Sequence, residues 1–128
     1  MYITQLSVFV ENKTGRLSEI LDELTAHNIN IRALSMADTE KFGILRMIVD
    51  NTEKAGEILK ASGDIVKNTP VIAIDIDDTP GGLGTLIAKL SANDVAVEYL
   101  YAFLSKDSPH AKVVLKVNDT AKAEELLK

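Results

Sequence analysis

The 128 residues contain no cysteine, which excludes disulfides, thiolate catalysis and zinc–thiolate sites. Basic runs are missing as well. The net charge of −5 disfavours phosphate backbones, so no nucleic-acid partner is expected. No apolar run approaches the ~20 residues that span a bilayer, so no membrane partner is expected either. The first residues, Met1-Tyr2-Ile3-Thr4-Gln5, lack the basic-then-apolar pattern of a signal peptide, and the chain reads as cytoplasmic. Histidine is scarce. His27 and His110 have no carboxylate or second histidine at ligand spacing, so both read as surface residues and no metal site is expected. Aromatics are scarce too, with three Tyr, three Phe and no Trp.

What is present is ordinary globular material, 46% hydrophobic and 26% charged, and it is arranged twice. Val10-Glu11-Asn12-Lys13-Thr14-Gly15-Arg16-Leu17 reappears 66 positions later as Ile76-Asp77-Asp78-Thr79-Pro80-Gly81-Gly82-Leu83. Asn28-Ile29-Asn30-Ile31 faces Asp94-Val95-Ala96-Val97 at the same offset. Val49-Asp50-Asn51-Thr52 faces Val117-Asn118-Asp119-Thr120 at an offset of 68. A repeat this long is a whole folding unit, and it divides the chain into domains 1–69 and 70–128. Units of that size have thin cores, so a shared core or a continuous sheet is expected.

Periodicity predicts the elements of the first copy. Ile3 to Val10 alternates as a strand, and Asn12 to Gly15 is a turn. Leu17, Ile20, Leu21 and Leu24 recur at helical spacing, and His27-Asn28 ends that helix. A strand from Ile29 to about Ala37, a loop at Asp38-Thr39-Glu40-Lys41 and a strand from Gly43 to Val49 follow. Thr52 is the expected N-cap of a short helix, and Ile65-Val66 a short fourth strand. The second copy repeats this with strands at Val71–Ile76, Val95–Leu104 and Ala111–Val117, a loop at Lys106–Pro109 and a helix capped by Thr120. No strand is expected after Leu127. The predicted class is α+β: two ferredoxin-like βαββαβ units, antiparallel sheets with helices on one face, the second lacking its last strand.

Several features invite chemistry. Pro80-Gly81-Gly82-Leu83-Gly84 follows a strand and opens a helix, but it meets neither the dinucleotide fingerprint nor the P-loop pattern. A tight turn is the plain reading; amides at a helix start that favour a carboxylate are the functional one. Asn12 ends the first strand and Asn30 sits between two isoleucines. A side-chain amide offers both donor and acceptor, which suits the ammonium and carboxylate of an amino acid; two turn-forming asparagines are the bland alternative. Asp75, Asp77 and Asp78 read as a solvated strand end rather than a metal cluster. Tyr99, Tyr101 and Phe103 alternate along one strand where the first copy has Ala33, Ser35 and Ala37. Packing is the first reading of that face, ahead of an aromatic pocket or base stacking.

A strand, an Asn-x-Thr/Pro-Gly-x-Leu turn, a helix and then Asn-Ile-Asn-Ile on a strand resembles the ACT domain, and both copies carry the resemblance. It implies a βαββαβ fold, amino-acid binding, and pairing of domains to build the site. In serine-sensing members the ligand is held by an Asn before Pro-Gly and an Asn on the next strand, matching Asn12 and Asn30. The loop of one domain and the strand start of another enclose it. A histidine two places before the first Asn in those members is Val10 here, and their proline is Thr14. The second copy has Pro80 but carries Asp78 and Ala96 in place of the asparagines.

The expected function is therefore regulatory amino-acid sensing without catalysis or cofactor, by a homodimer that signals to a metabolic enzyme. The expected site is Asn12, Lys13, Thr14, Gly15, Arg16, Leu17, Asn30 and Ile31, with Asp78, Pro80, Gly81, Gly82 and Leu83 as a secondary loop. A ligand-free assembly module is the alternative. A small acyl-phosphate hydrolase is the third reading; it would use Arg16 and Asn12, but no general base is evident.

Overall fold

The structure, a computed structural model, describes residues 2–11, 13–38, 42–104 and 110–128. Its elements run β1 (Tyr2–Glu11), α1 (Arg16–Ala26), β2 (Ile31–Asp38), β3 (Phe42–Val49), α2 (Thr52–Ala61), β4 (Ile65–Asp77), α3 (Gly82–Ala92), β5 (Val97–Ala102), β6 (His110–Val117) and α4 (Thr120–Leu126). The class is α+β with antiparallel ladders, and among the described residues no strand follows α4. Of the two hairpin loops, Thr39–Lys41 and Lys106–Pro109 lie outside the described residues.

The chain divides into two compact units, Thr4–Thr69 and Pro70–Lys128, the latter joined by Met1–Ile3. In the first, the strand order is β2-β3-β1-β4. Alternation sends Leu6, Val8 and Val10 of β1 and Leu45, Met47 and Val49 of β3 to one face, against Ile20 and Leu24 of α1 and Ala55 and Leu59 of α2. On the other face of β1, Gln5 and Ser7 are buried and polar, while Phe9 is exposed. Gln5 Nε2 donates to Ser7 Oγ at 2.9 Å, and that hydroxyl lies 3.4 Å from Thr69 Oγ1 on β4. In the second unit the order is β4-β6-β5. Ile72, Val113, Leu115 and Val117 pack on Leu86 and Leu90 of α3 and Ala123 of α4.

The two short strands expected at 65–66 and 71–76 are one 13-residue strand. The stretch between them, Lys67 to Pro70, is polar and holds a proline. Yet Pro70 is exposed, and the fixed φ of proline suits extended backbone. The helix caps also shift by one. Asn51, not Thr52, caps α2: its side chain accepts the Lys54 N–H at 3.1 Å. Asp119, not Thr120, does the same for Lys122 at 3.1 Å. Asn and Asp cap at least as well as Thr, and here they stand three residues before the N–H they serve. Asn51→Ala is therefore expected to cost about 1 kcal/mol, and Thr52→Ala much less, as read from urea denaturation midpoints.

Two strands begin later than the alternation suggests. Ile29 N–H is taken by Leu24 O at 2.9 Å and Val95 N–H by Leu90 O at 2.9 Å, each closing the preceding helix. Both closures need a left-handed residue, and Asn28 (φ 59°) and Asp94 (φ 60°) supply it.

Candidate functional site

The first loop is built by Gly15, which takes φ 91° before α1 and offers no side-chain cap. Arg16 N–H donates to Lys13 O at 3.2 Å and Glu19 N–H to Gly15 O at 3.0 Å. The amides of Leu17 and Ser18 find no acceptor among the described residues, as befits an uncapped helix start. Lys13 and Thr14 are exposed, and Leu17 turns inward onto the unit's core. Asn12 lies outside the described residues.

Arg16 is engaged. Nη1 donates to Glu19 Oε2 at 2.8 Å, and Nη2 pairs with Asp64 Oδ1 just before β4. The bond to Glu19, opposed by the cost of burial and reinforced by Asp64, raises the guanidinium pKa above its ordinary value, so the group stays charged. Asp64 is a partner that sequence reasoning missed, because it stands 48 residues from Arg16.

Asn30 is exposed, and its backbone is clamped rather than its side chain. Its N–H donates to Asp50 Oδ1 at 3.1 Å, and its carbonyl accepts the Asp50 N–H at 3.1 Å. The second copy repeats the clamp: Ala96 N–H donates to Asn118 Oδ1 at 3.0 Å and Asn118 N–H to Ala96 O at 3.1 Å. The repeated Asp50/Asn118 position was the signal available in the sequence for this device. The Asn30 amide itself has no hydrogen-bond partner among the described residues. It borders a depression of about 370 Å³ with Thr25, Asn28, Ile29 and Asp50. Ile31, half-buried, packs on the core.

Register separates the two halves of the expected site. Glu11, the residue before Asn12, pairs with Phe42 at one end of β3. Ile31, the residue after Asn30, pairs with Val49 at the other. At a strand rise of about 3.3 Å per residue these ends lie about 23 Å apart. No single unit brings Asn30 and the residue 13–17 loop to one small ligand.

The second loop has the same frame, with Gly81 at φ 86° before α3. It borders a cavity of about 510 Å³ in its unit, with Pro80, Gly81 and Gly82 on one side and Asp75, Asp77 and Lys89 around it. Asp78 is exposed, and Leu83 leans on the core. Lys89 was not singled out from the sequence; two turns into α3, it reads there as a solvated face. His110, which has no carboxylate at ligand spacing in the sequence, is exposed and stands 3.8 Å from Asp77 Oδ1 across the β4–β6 ladder. On β5, Tyr101 is buried and Tyr99 partly so; Phe103, just after β5, is also partly buried, and Lys112 Nζ lies 5.4 Å from its ring centroid. Tyr101 pairs with Val114, opposite the face that Val113 and Leu115 turn to the helices.

Among the described residues no cluster of three or more His, Cys, Asp or Glu could hold a metal ion. No described helix is long and apolar enough to cross a membrane.

A βαββαβ frame followed by a second copy without its last strand, each with a glycine-opened helix and a clamped strand start, makes a tandem-domain α+β architecture. The pattern of the ACT domain pair matches residues 1–128, and the chain belongs to that family. It is similar to protein BT0572 from Bacteroides thetaiotaomicron at 40% identity and a TM-score of 0.93, over 99% of this chain and 87% of that one. The ligand-free regulatory subunit of aspartate kinase from Thermus thermophilus shares the fold at 12% identity and a TM-score of 0.69, over 99% and 91%. The aspartate kinase regulatory subunit from Thermus flavus does so at 13% and 0.68, over 99% and 91%. No curated protein matches the chain.

Proposed function

We propose that this chain is a cytoplasmic regulatory protein that binds an amino acid as a homodimer and passes its occupancy to a metabolic enzyme. The ligand carboxylate takes the free amides of Leu17 and Ser18 where the Asn12–Leu17 turn opens α1, next to Lys13 and the Arg16 charge. Its ammonium is held by Asn12 and by Asn30 of the second chain, beside Ile31. The observation that carries this reading is the separation of Glu11 and Ile31 at opposite ends of β3. A site using both asparagines needs a second Asn30-bearing unit. Copy two has Ala96 there, so that unit belongs to another chain. Binding then bridges two chains and favours one arrangement of them, which a partner can sense. The loop of Asp78, Pro80, Gly81, Gly82 and Leu83, with its own cavity, serves as a secondary site of different selectivity. The fold shared with aspartate kinase regulatory subunits supports the regulatory part of the reading.

A thermal-shift screen of the twenty amino acids at millimolar concentration is expected to give at least one stabilising ligand, since binding only the folded state raises its melting temperature. No response would favour a ligand-free assembly module. With the ligand in hand, Asn30→Ala is expected to weaken binding by about 1–3 kcal/mol in calorimetry. Mixing Asn12→Ala chains with Asn30→Ala chains is expected to restore roughly a quarter of the sites, because each mixed two-fold dimer rebuilds one intact site. Failure of the mixture to bind would sink the shared site.

A further inference from the structure

We propose that Glu19 is a built-in stand-in for the ligand carboxylate on Arg16, and that Asp64 is the positioning residue that keeps the guanidinium in place when Glu19 is displaced. The inference rests on the amino-acid-binding reading and names the exchange that admits the ligand.

The two carboxylates hold Arg16 on different terms. The Asp64 side chain is 4% exposed, and the Glu19 side chain is 68% exposed. An exposed ion pair contributes little, because water solvates both groups when it opens. A buried carboxylate that loses its cation is left without its charge partner, which is costly. The Glu19 contact is therefore the one that gives way. Arg16 uses Nη1 for Glu19 and Nη2 for Asp64, and a guanidinium carries five N–H donors in a rigid fork. With Nη2 anchored, Nη1 stays directed beside the first turn of α1. The free amides of Leu17 and Ser18 belong to that same turn. A carboxylate arriving there meets amides and a positioned cation, and the charge it displaces is that of Glu19. The second copy lacks the device, since Gly82 replaces Arg16.

The test uses acetate as the probe and the full-length, 15N-labelled chain, following the Arg16 Nε–Hε resonance during titration near pH 7. Glu19→Gln removes the competing charge from an exposed helix position and is expected to tighten acetate about two- to fivefold. Asp64→Asn is expected to weaken it by at least as much, and Asp64→Glu to restore most of the loss. Should Asp64→Asn fail to fold, Glu19→Gln still decides the matter. Acetate affinity unchanged in Glu19→Gln, or an Arg16 resonance that acetate never moves, would overturn the proposal. An acetate response without any amino-acid ligand would instead overturn the sensing reading alone. An amino-acid ligand whose affinity ignores Glu19→Gln would overturn this inference alone.

Discussion

Gly82→Ala is expected to destabilise the chain by about 3 kcal/mol, while Gly84→Ala, two residues on, raises stability by about 0.5–1 kcal/mol. A Cβ at Gly82 would overlap the Asp77 carbonyl oxygen, a backbone atom that cannot rotate away. Either the first turn of α3 lifts off the end of β4 or the strand end moves, and both disturb the packing of Leu83 and Leu86. Gly84 faces open space within the helix, so alanine there only reduces the freedom of the unfolded chain. Urea denaturation separates the two. A Gly82→Ala midpoint equal to that of the unmodified chain would show that the turn yields without cost. The experiment also bears on function: a glycine kept only by this close approach needs no ligand to explain it.

Leu6→Ala is expected to cost about 3–4 kcal/mol, and Leu34→Ala less than about 1 kcal/mol. Leu6 is 0% exposed on β1, where its neighbours Gln5 and Ser7 are buried on the opposite face. Helix α2 comes close above it, since a Cβ at Gly56 would stand 3.8 Å from Leu6 Cδ2. Truncation leaves a cavity that strands paired on both sides cannot collapse. Leu34, on the edge strand β2, is 36% exposed and gives up little burial. Comparable losses at both positions, read from thermal or urea midpoints, would place the weight of the core elsewhere.

Much of the fold was legible residue by residue. The helical spacing of Leu17, Ile20 and Leu24 and the alternation along β1 and β3 describe faces that recur at short range, so they can be read without knowing what covers them. Gly15 and Gly81 were legible as helix-opening turns for the same reason: a left-handed residue is a local demand. The errors sit where backbone hydrogen bonding overrides the side-chain pattern. Ile29 leaves the strand because Leu24 O claims its N–H, and the residue 65–77 strand runs on through a polar, proline-bearing stretch between the two expected strands.

The candidate site divides along the same line. The sequence by itself determined the duplication, the ACT resemblance and the asymmetry between copies, with Asn12 and Asn30 in one and Asp78 and Ala96 in the other. Those are matters of residue identity at fixed spacing. Only the tertiary structure decided that Arg16 is held by Asp64, that Asp50 and Asn118 clamp the two strand starts, and that Glu11 and Ile31 stand at opposite ends of β3. The physical reason is register. Pairing between strands and between side chains 20 to 48 residues apart is set by the packing of whole faces, and no short window of sequence carries it.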